Sequence, residues 1–323
     1  MAKILKTSRQ KILITGGYGY LGGRIADHLI NSGYEVTLAS RDPSKFHGIR
    51  FACLEINWLC DQSLREVCKG FDTVIHSAGL NSAECESDPV SAENINGFYS
   101  NRLAIAASAA GVNRFIYLST AHVYSTPLAG VFDEVDTPIC THPYGASKLL
   151  GENFVREVLR SSGMDGCILR LSNAIGPPLH KQANCWSLVC NDLSRQAVVA
   201  GTITLNSDGQ QLRDFVGITQ LNYVLEHLLS PSLTTLDGAI LNIASQFSMS
   251  ISELAHLVGS RCLAVLGFYP EIIVPDHSRD LKVETLIIKN SKLKKFNIAI
   301  SKEIEKDVDD LLMFCSANFN SSL

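Results

Sequence analysis

No apolar run in these 323 residues is long enough to cross a bilayer. The run that follows Lys3, Lys6, Arg9 and Lys11 ends after Ile12, Leu13 and Ile14, too short for a signal-peptide core. No membrane association is expected. The ten cysteines form no CxxC pair and no Cys/His ligand spacing, and several stand in apolar runs where a thiol is a small hydrophobe. Reduced thiols, a cytoplasmic compartment and no metal site are therefore expected. Lysine and arginine do not cluster except at Lys292, Lys294 and Lys295, and the formal net charge is −4, which gives no support to a nucleic-acid partner. Internal repeats and low-complexity segments are missing as well.

What is present is an ordinary globular composition, 46% hydrophobic and 19% charged, in a chain longer than one core usually serves. Near its start stands KILITGGYGYLGG (11–23), a short apolar run, two glycines, then Gly19 and Gly22 leading into an amphipathic pattern with Ile25, Leu29 and Ile30 on one face. That reads as strand, tight turn and helix. Glycines let the backbone approach a ligand, and the open N–H groups of a new helix favour a phosphate, so this turn is a candidate pyrophosphate cradle. The helix stops at Asn31-Ser32-Gly33.

Further strands are expected at EVTLAS (35–40), FACLEI (51–56), FDTVIH (71–76), RFIYLS (114–119) and CILRL (167–171). Between them, Asp61 is placed to cap a short helix, a long helix runs from about Val90 to Ala110, and another spans Tyr144 to Leu159. Strands alternating with such helices imply right-handed crossovers and an α/β, doubly wound parallel sheet of Rossmann type. Ligands of such sheets sit beyond the carboxyl ends of the strands: Thr15 to Gly22, Ser40-Arg41, His76 to Gly79, and Ser119-Thr120. The alternation loosens at Asn173–Pro178, which places a dinucleotide-binding domain over 1–174 and a smaller α/β substrate domain over 175–323, with segments near 213–245 returning to the first. Helices are expected at about 184–198, 218–230, 251–259 and 302–314. Ser250 and Glu253 form a capping box for the third of these.

Tyr144-Gly145-Ala146-Ser147-Lys148 puts a phenol and an ammonium one helical turn apart on one face. A fixed cation favours the phenolate, so such a tyrosine can trade a proton with a substrate hydroxyl while hydride moves. Thr120, at a strand end, can bond the same oxygen.

Taken together, these segments resemble the extended short-chain dehydrogenase/reductases, in particular nucleotide-sugar epimerases, dehydratases and keto-sugar reductases. ITGGYGYLG is similar to that family's TGxxGxxG turn, FDTVIHSAG to its DxVxHxAA strand end, and NING (94–97) to its helix motif. FIYLSTAHVYS resembles the segment with the catalytic Ser/Thr, PYGASK the YxxxK motif, LRLSNAIGPP the strand leading to the substrate domain, and GQQLRDFV the GxQxRDFV segment of sugar-nucleotide binders.

The resemblance implies roles. Tyr144 would be the acid/base, Lys148 would hold the nicotinamide ribose and favour the phenolate, and Thr120 would bond the reacting oxygen. Gly16, Gly19, Tyr20, Leu21 and Gly22 would border the pyrophosphate. Ser40, Arg41, Glu55, Ile56, Ser77, Ala78, Gly79 and Asn94 would line the rest of the cofactor. Ala121, His122 and Asn173 would contact substrate, and Arg213 would meet its phosphate, unless it pairs with Asp208 or Asp214 instead. His142 flanks the same segments, and neither it nor His122 is expected to be catalytic. His76 is expected to pack and line the cofactor. A homodimer built from the helices near 90–110 and 144–160 is also implied.

Departures from the family pattern refine the expectation. NAD-preferring members end the second strand with an acid that bonds the adenosine ribose, whereas Ser40-Arg41 would attract a 2′-phosphate; NADP is preferred over NAD. Ala121-His122 replaces the Asp-Glu pair of 4,6-dehydratases, so dehydration is not expected. Thr219-Gln220 replaces the acidic pair that usually follows RDFV. The expected function is hydride transfer on a nucleotide sugar, with a tilt toward NADPH-dependent keto-sugar reduction. The alternatives are an NAD-dependent 4-epimerase and, from another class, a non-catalytic dinucleotide-binding sensor or scaffold. Substrate identity is assigned to the loops at 177–215 and 245–285.

Overall fold

The computed structural model describes residues 9–46, 50–233, 235–275 and 285–319; Lys3, Lys6 and the 276–284 part of the second substrate loop lie outside them. In chain order the elements are β1 (Lys11–Thr15), α1 (Tyr20–Asn31), β2 (Glu35–Ser40), β3 (Ala52–Glu55), α2 (Asp61–Cys68), β4 (Thr73–His76), α3 (Ser82–Ser87), α4 (Pro89–Ala92), α5 (Tyr99–Ala109) and β5 (Arg114–Thr120). They continue as β6 (Gly130–Phe132), α6 (Pro143–Ser162), β7 (Asp165–Leu171), β8 (Asn173–Ile175), α7 (Val189–Ala200), β9 (Thr202–Thr204), β10 (Leu212–Gly217) and α8 (Ile218–Leu229). The last are β11 (Ala239–Ile243), β12 (Ser248–Ser250), α9 (Ile251–Leu266), β13 (Glu271–Ile273), β14 (Leu286–Ile288) and α10 (Glu305–Phe319).

A seven-stranded sheet runs in the order β3-β2-β1-β4-β5-β7-β11. Its pairs β3–β2, β2–β1, β1–β4 and β4–β5 are parallel. The order reverses between β1 and β4, the switch point at which doubly wound sheets bind ligands. Ile12, Leu13 and Ile14 are fully buried, as expected of a central strand covered on both faces.

By their contacts the residues fall into two units. The first comprises the chain through Leu118 with Leu150–Ile168 and Thr235–Ala239; the second comprises Ser119–Leu149, Leu169–Thr234 and Ile240 onward. The division is thus made at several crossings rather than at 174 alone, because β5, α6, β7 and β11 each change unit along their own length. The second unit holds the small sheet β12-β10-β8 and the pairs β13-β9 and β14-β6. Its larger core gathers α7, α9 and α10, with Val308, Leu311 and Leu312 on the inward face of α10 and Ile304 just ahead of it. The Ser250–Glu253 capping box that starts α9 is formed on both sides.

Three local expectations are corrected. Asp61 does not cap α2; Cys60 holds that position, and Asp61 is the first helical residue, its carboxylate taking two bonds from the Arg102 guanidinium. The helix expected from Val90 to Ala110 is not continuous: α4 ends at Ala92 and a π turn, Glu93–Phe98, intervenes before α5. The wide turn carries Asn96 inward, where its side-chain oxygen accepts from Leu80 N at 2.9 Å. Finally, α7 starts at Val189, since residues before it are occupied in turns, with Trp186 Nε1 donating to the Lys181 carbonyl at 2.8 Å.

Candidate functional site

In the first unit, the turn after β1 is built so that only glycine fits. Gly16 has φ +72°, and a Cβ on it would stand 2.7 Å from Ala78 N; a Cβ on Gly22 would collide with the Gly16 carbonyl oxygen and the Ser77 hydroxyl. Gly19 caps α1 with no side-chain bond, its own N–H donating to Gly16 O at 2.8 Å, and the first turn of α1 holds no acid. The start of α1 therefore offers helix-end N–H groups and no negative charge, a fit to pyrophosphate.

The ends of β1 and β4 are locked together. Ala78 N–H donates to Thr15 Oγ1 at 3.4 Å, and Thr15 Oγ1 lies 2.6 Å from His76 Nδ1; His76 Nε2 lies 2.9 Å from Ser100 Oγ, which donates to Asn96 O at 2.8 Å. Because Ser100 Oγ gives its hydrogen to Asn96 O, it accepts from His76 Nε2–H, while Thr15 Oγ1 and His76 Nδ1 share the hydrogen bond on the other side of the ring. All of Thr15, His76 and Ser100 are buried. His76 is thus a buried strut behind the strand ends, and it also borders the cavity described next.

Arg41, Trp58, Ala78, Gly79, Ile95 and Tyr99 line a small cavity together with His76 and Leu80. Of the residues read as cofactor-lining, it brings together Arg41, His76, Ala78 and Gly79. The Arg41 side chain is exposed. Ser40 Oγ is engaged with the backbone of Asp42, Glu55 is exposed, and Ile56 is buried with its N–H on Ser40 O. Ser77 Oγ donates to Thr15 O at 2.6 Å, and the Asn94 amide donates to Val90 O at 3.0 Å. Trp58 and Tyr99 went unread in the sequence. Their rings stack 5.8 Å apart and within 5° of parallel. The available signal was position, since Trp58 stands just past the third strand end, where ligands of such sheets collect.

In the second unit, Thr120 ends β5 and accepts from His122 N–H at 3.2 Å, capping a single 3₁₀ turn, Ala121–Val123. Its hydroxyl hydrogen is left for another acceptor. Tyr144 and Lys148 open α6, with Tyr144 half-buried and Lys148 buried. His142 Nδ1 accepts from Tyr144 N–H at 3.2 Å and the His142 carbonyl accepts from Ala146 N–H, which anchors the helix start. Gly145 lets that start lie against the 3₁₀ turn, for a Cβ there would collide with Cys140 Sγ and His122 O. The His122 ring sits 6.3 Å from that of Tyr144. Burial, then Arg213, then His142 push His122 down to about 4.

Arg213, on β10, donates to Leu212 O at 3.1 Å and Gln211 Oε1 at 2.8 Å, and among the described residues it pairs with no carboxylate. The ion pairs with Asp208 or Asp214 are not formed. Asp214 is instead fully buried and accepts from Ser245 N–H and Oγ–H at 3.1 and 3.0 Å; Asn173 spends its amide on Asp214 O at 2.9 Å. The acid missing after RDFV is supplied by another helix: Thr219 N–H and Oγ1–H both donate to Asp307 of α10, and a Cβ on Gly217 would meet that carboxylate.

Burial pushes Asp214 up to about 6 despite the Ser245 bonds. A raised carboxyl binds its proton more tightly in the fold, so its contribution is fully present below the unfolded value of about 4 and is lost as pH rises through 6. Two units correspond to about 3 kcal/mol at most. Asp214→Asn is expected to flatten the fall in stability between pH 4.5 and 7, read by urea unfolding across that range; an unchanged slope would reject this origin.

The model of the "NAD dependent epimerase/dehydratase family" matches residues 12–244. The chain belongs to that family. A UDP-glucose 4-epimerase of Rhizobium leguminosarum bv. trifolii is 25% identical over 261 residues, 76% of this chain and 80% of that protein. The curated relatives of this epimerase/dehydratase-family chain are matched over 43% to 80% of their own length. Among solved structures, the UDP-glucose 4-epimerase of Thermotoga maritima with UDP-glucose superposes with TM-score 0.78 at 21% identity, covering 94% of this chain and 98% of that one. RMD of Pseudomonas aeruginosa complexed with NADPH gives TM-score 0.76 at 22% identity, covering 95% and 99%. These likenesses show the epimerase/dehydratase family's Rossmann fold. Among the described residues no helix is long and apolar enough to cross a membrane.

Proposed function

We propose that the chain is an NADP-dependent oxidoreductase acting on a nucleotide sugar, with net reduction of a keto-sugar as the preferred reaction. The observation that carries this is the start of α6: Tyr144 and Lys148 one turn apart, anchored by His142, with Gly145 set against the turn that Thr120 caps. When bound, the nicotinamide supplies the hydride acceptor or donor. Tyr144 gives a proton to the sugar oxygen, or takes one from it; Thr120 Oγ1–H donates to the same oxygen; Lys148 favours the phenolate. Gly16, Gly19 and Gly22 admit the pyrophosphate to the helix end. Arg213, without a carboxylate partner among the described residues, meets the nucleotide phosphates, which stay ionised throughout the working pH range.

Exposed Arg41 at the rim of the small cavity supports NADP, since a 2′-phosphate finds a cation there. A fluorescence titration should show NADPH binding at least about tenfold tighter than NADH, and Arg41→Ala should remove most of that preference, the scale of one charge-assisted contact. Tighter NADH binding would overturn the assignment. The NAD-dependent 4-epimerase reading is kept because a UDP-glucose 4-epimerase is among the curated relatives matched across most of this chain's length. Incubation with 4-hydroxy and 4-keto nucleotide sugars separates the two: an epimerase needs no added cofactor in stoichiometric amount, and a reductase consumes one NADPH per product.

A homodimer through α5 and α6 completes the proposal. A groove lined by Asn101, Ile105 and Ala109 of α5 and Phe154, Val158 and Ser161 of α6 opens on the first unit, with Ile105 51% exposed. Light scattering should give twice the 35.2 kDa chain mass, and Ile105→Glu should give the chain mass alone.

A further inference from the structure

The turn after β5 holds a histidine whose ring is unclaimed. Its backbone is fixed by the bond to Thr120 Oγ1, and among the described residues neither ring nitrogen of His122 has a hydrogen-bond partner. Its neighbours Ala121 and Val123 are fully buried in a cluster with Tyr124, Ala244 and Leu286, and Leu212 packs against the same cluster. Residues adjacent in a strand point to opposite faces, so burying Leu212 there turns Arg213 away from the cluster, as burying Ala121 and Val123 leaves His122 outside it. Both polar side chains are half-buried, and the guanidinium acts electrostatically on the imidazole.

Among the described residues, the groups around His122 come from four places: β5 brings the Thr120 hydroxyl, which accepts the His122 N–H, α6 the Tyr144 ring, the loop before α6 His142 and, near the His122 carbonyl, the Cys140 thiol, and β10 Arg213; none of these is a carboxylate. A guanidinium with no acid to pair with among the described residues, beside an imidazole whose nitrogens have no hydrogen-bond partner among them, is a place for a multivalent anion.

We propose that His122 is the second arm of a phosphate site whose first arm is Arg213, and that it takes up a proton from solvent as the anion binds. The source of that anion, the diphosphate of a nucleotide sugar, rests on the function proposed above. In the free chain the site is held open by its own electrostatics: burial first, and then the Arg213 guanidinium, keep the ring neutral. An anion on Arg213 reverses the field at the ring, and the imidazolium then donates to it. Ligand affinity therefore rises as pH falls, in the range between the free and bound titration midpoints.

The test uses the full chain and UDP-glucose, whose phosphates do not titrate between pH 5 and 8. Calorimetry in two buffers of different ionisation enthalpy should show proton uptake on binding, with affinity about tenfold higher at pH 5.5 than at pH 7.5. His122→Gln should lose both the uptake and the pH dependence. Binding without uptake, or an uptake that survives in His122→Gln, overturns the proposal. Histidine-ring NMR of the wild-type chain gives an independent reading, the His122 midpoint moving up by about two and a half pH units with ligand, the shift that a tenfold affinity difference between pH 5.5 and 7.5 requires. If UDP-glucose does not bind at all, the nucleotide-sugar reading fails, and sulfate takes its place as probe. A rise of the His122 midpoint with sulfate then supports the anion site, and an unmoved midpoint overturns it.

Discussion

Tyr144→Phe is expected to lower turnover of a keto or hydroxy nucleotide sugar by about 10³-fold, within the 10²- to 10⁴-fold range of a positioned acid/base, while NADPH affinity stays within a few-fold. The substitution removes one oxygen and leaves the ring in place against His122. The helix start does not depend on the phenol, because its anchors are the backbone bonds of Tyr144 and Ala146 to His142. A collapse of activity together with cofactor binding would point to a structural role. Retained activity would remove Tyr144 from the chemistry and favour the sensor or scaffold reading. The informative comparison is kcat against KM, since loss of a group acting only at the transition state lowers kcat and kcat/KM alike.

Gly16→Ala is the second large effect, and it is expected on both stability and cofactor binding. Two costs coincide at this residue. Its φ of +72° lies in the left-handed region, where a side chain costs about 1–2 kcal/mol. The added methyl would also stand within 2.7–2.8 Å of Ala78 N, Ala78 Cα and Ser77 C, all backbone atoms at the locked end of β4. No flexible side chain can yield there, so the turn or the strand end must move. We expect a loss of about 2–4 kcal/mol, read by urea unfolding, and NADPH binding weakened at least about 100-fold. The same change at Gly33 is the control: its φ of +93° carries the left-handed cost, but a Cβ meets nothing within 4 Å. Gly33→Ala should lose about 1 kcal/mol with cofactor affinity unaltered. Equal losses at the two sites would mean that backbone conformation alone sets the cost.

Much of the first half of the fold could be read from the chain. EVTLAS is β2 residue for residue, because an apolar run of strand length is stopped by Arg41-Asp42-Pro43. The glycine turn and the helix start at Tyr144 were legible for the same reason: each is a local device. Distant partners were not. The carboxylate beside Thr219 comes from Asp307, and nothing near Thr219-Gln220 announces it. Trp58 finds Tyr99 only because α2 and α5 pack together. β8, β12, β13 and β14 are three-residue strands, too short to carry an alternation and defined only by what they pair with. At Arg213 the sequence offered two neighbouring acids, and neither pairs with it: Asp214 points into the interior toward Ser245, and the guanidinium bonds Leu212 O and Gln211 Oε1 instead.

The π turn at 93–98 has a geometric consequence for everything after it. Such a turn takes about one residue more than an α turn, so α5 is out of phase with α4 by about 100°, the angle that one residue subtends. A single helical wheel drawn from Pro89 to Ala109 therefore assigns one of the two halves to the wrong side. With the slip included, Ile95 and Tyr99 both reach the cavity wall, Asn96 and Ser100 both face the interior, and Phe98 is turned outward. A one-residue deletion in this stretch would turn α5 by about 100° against α4 and swing either the inward asparagine or the aromatic wall out of place.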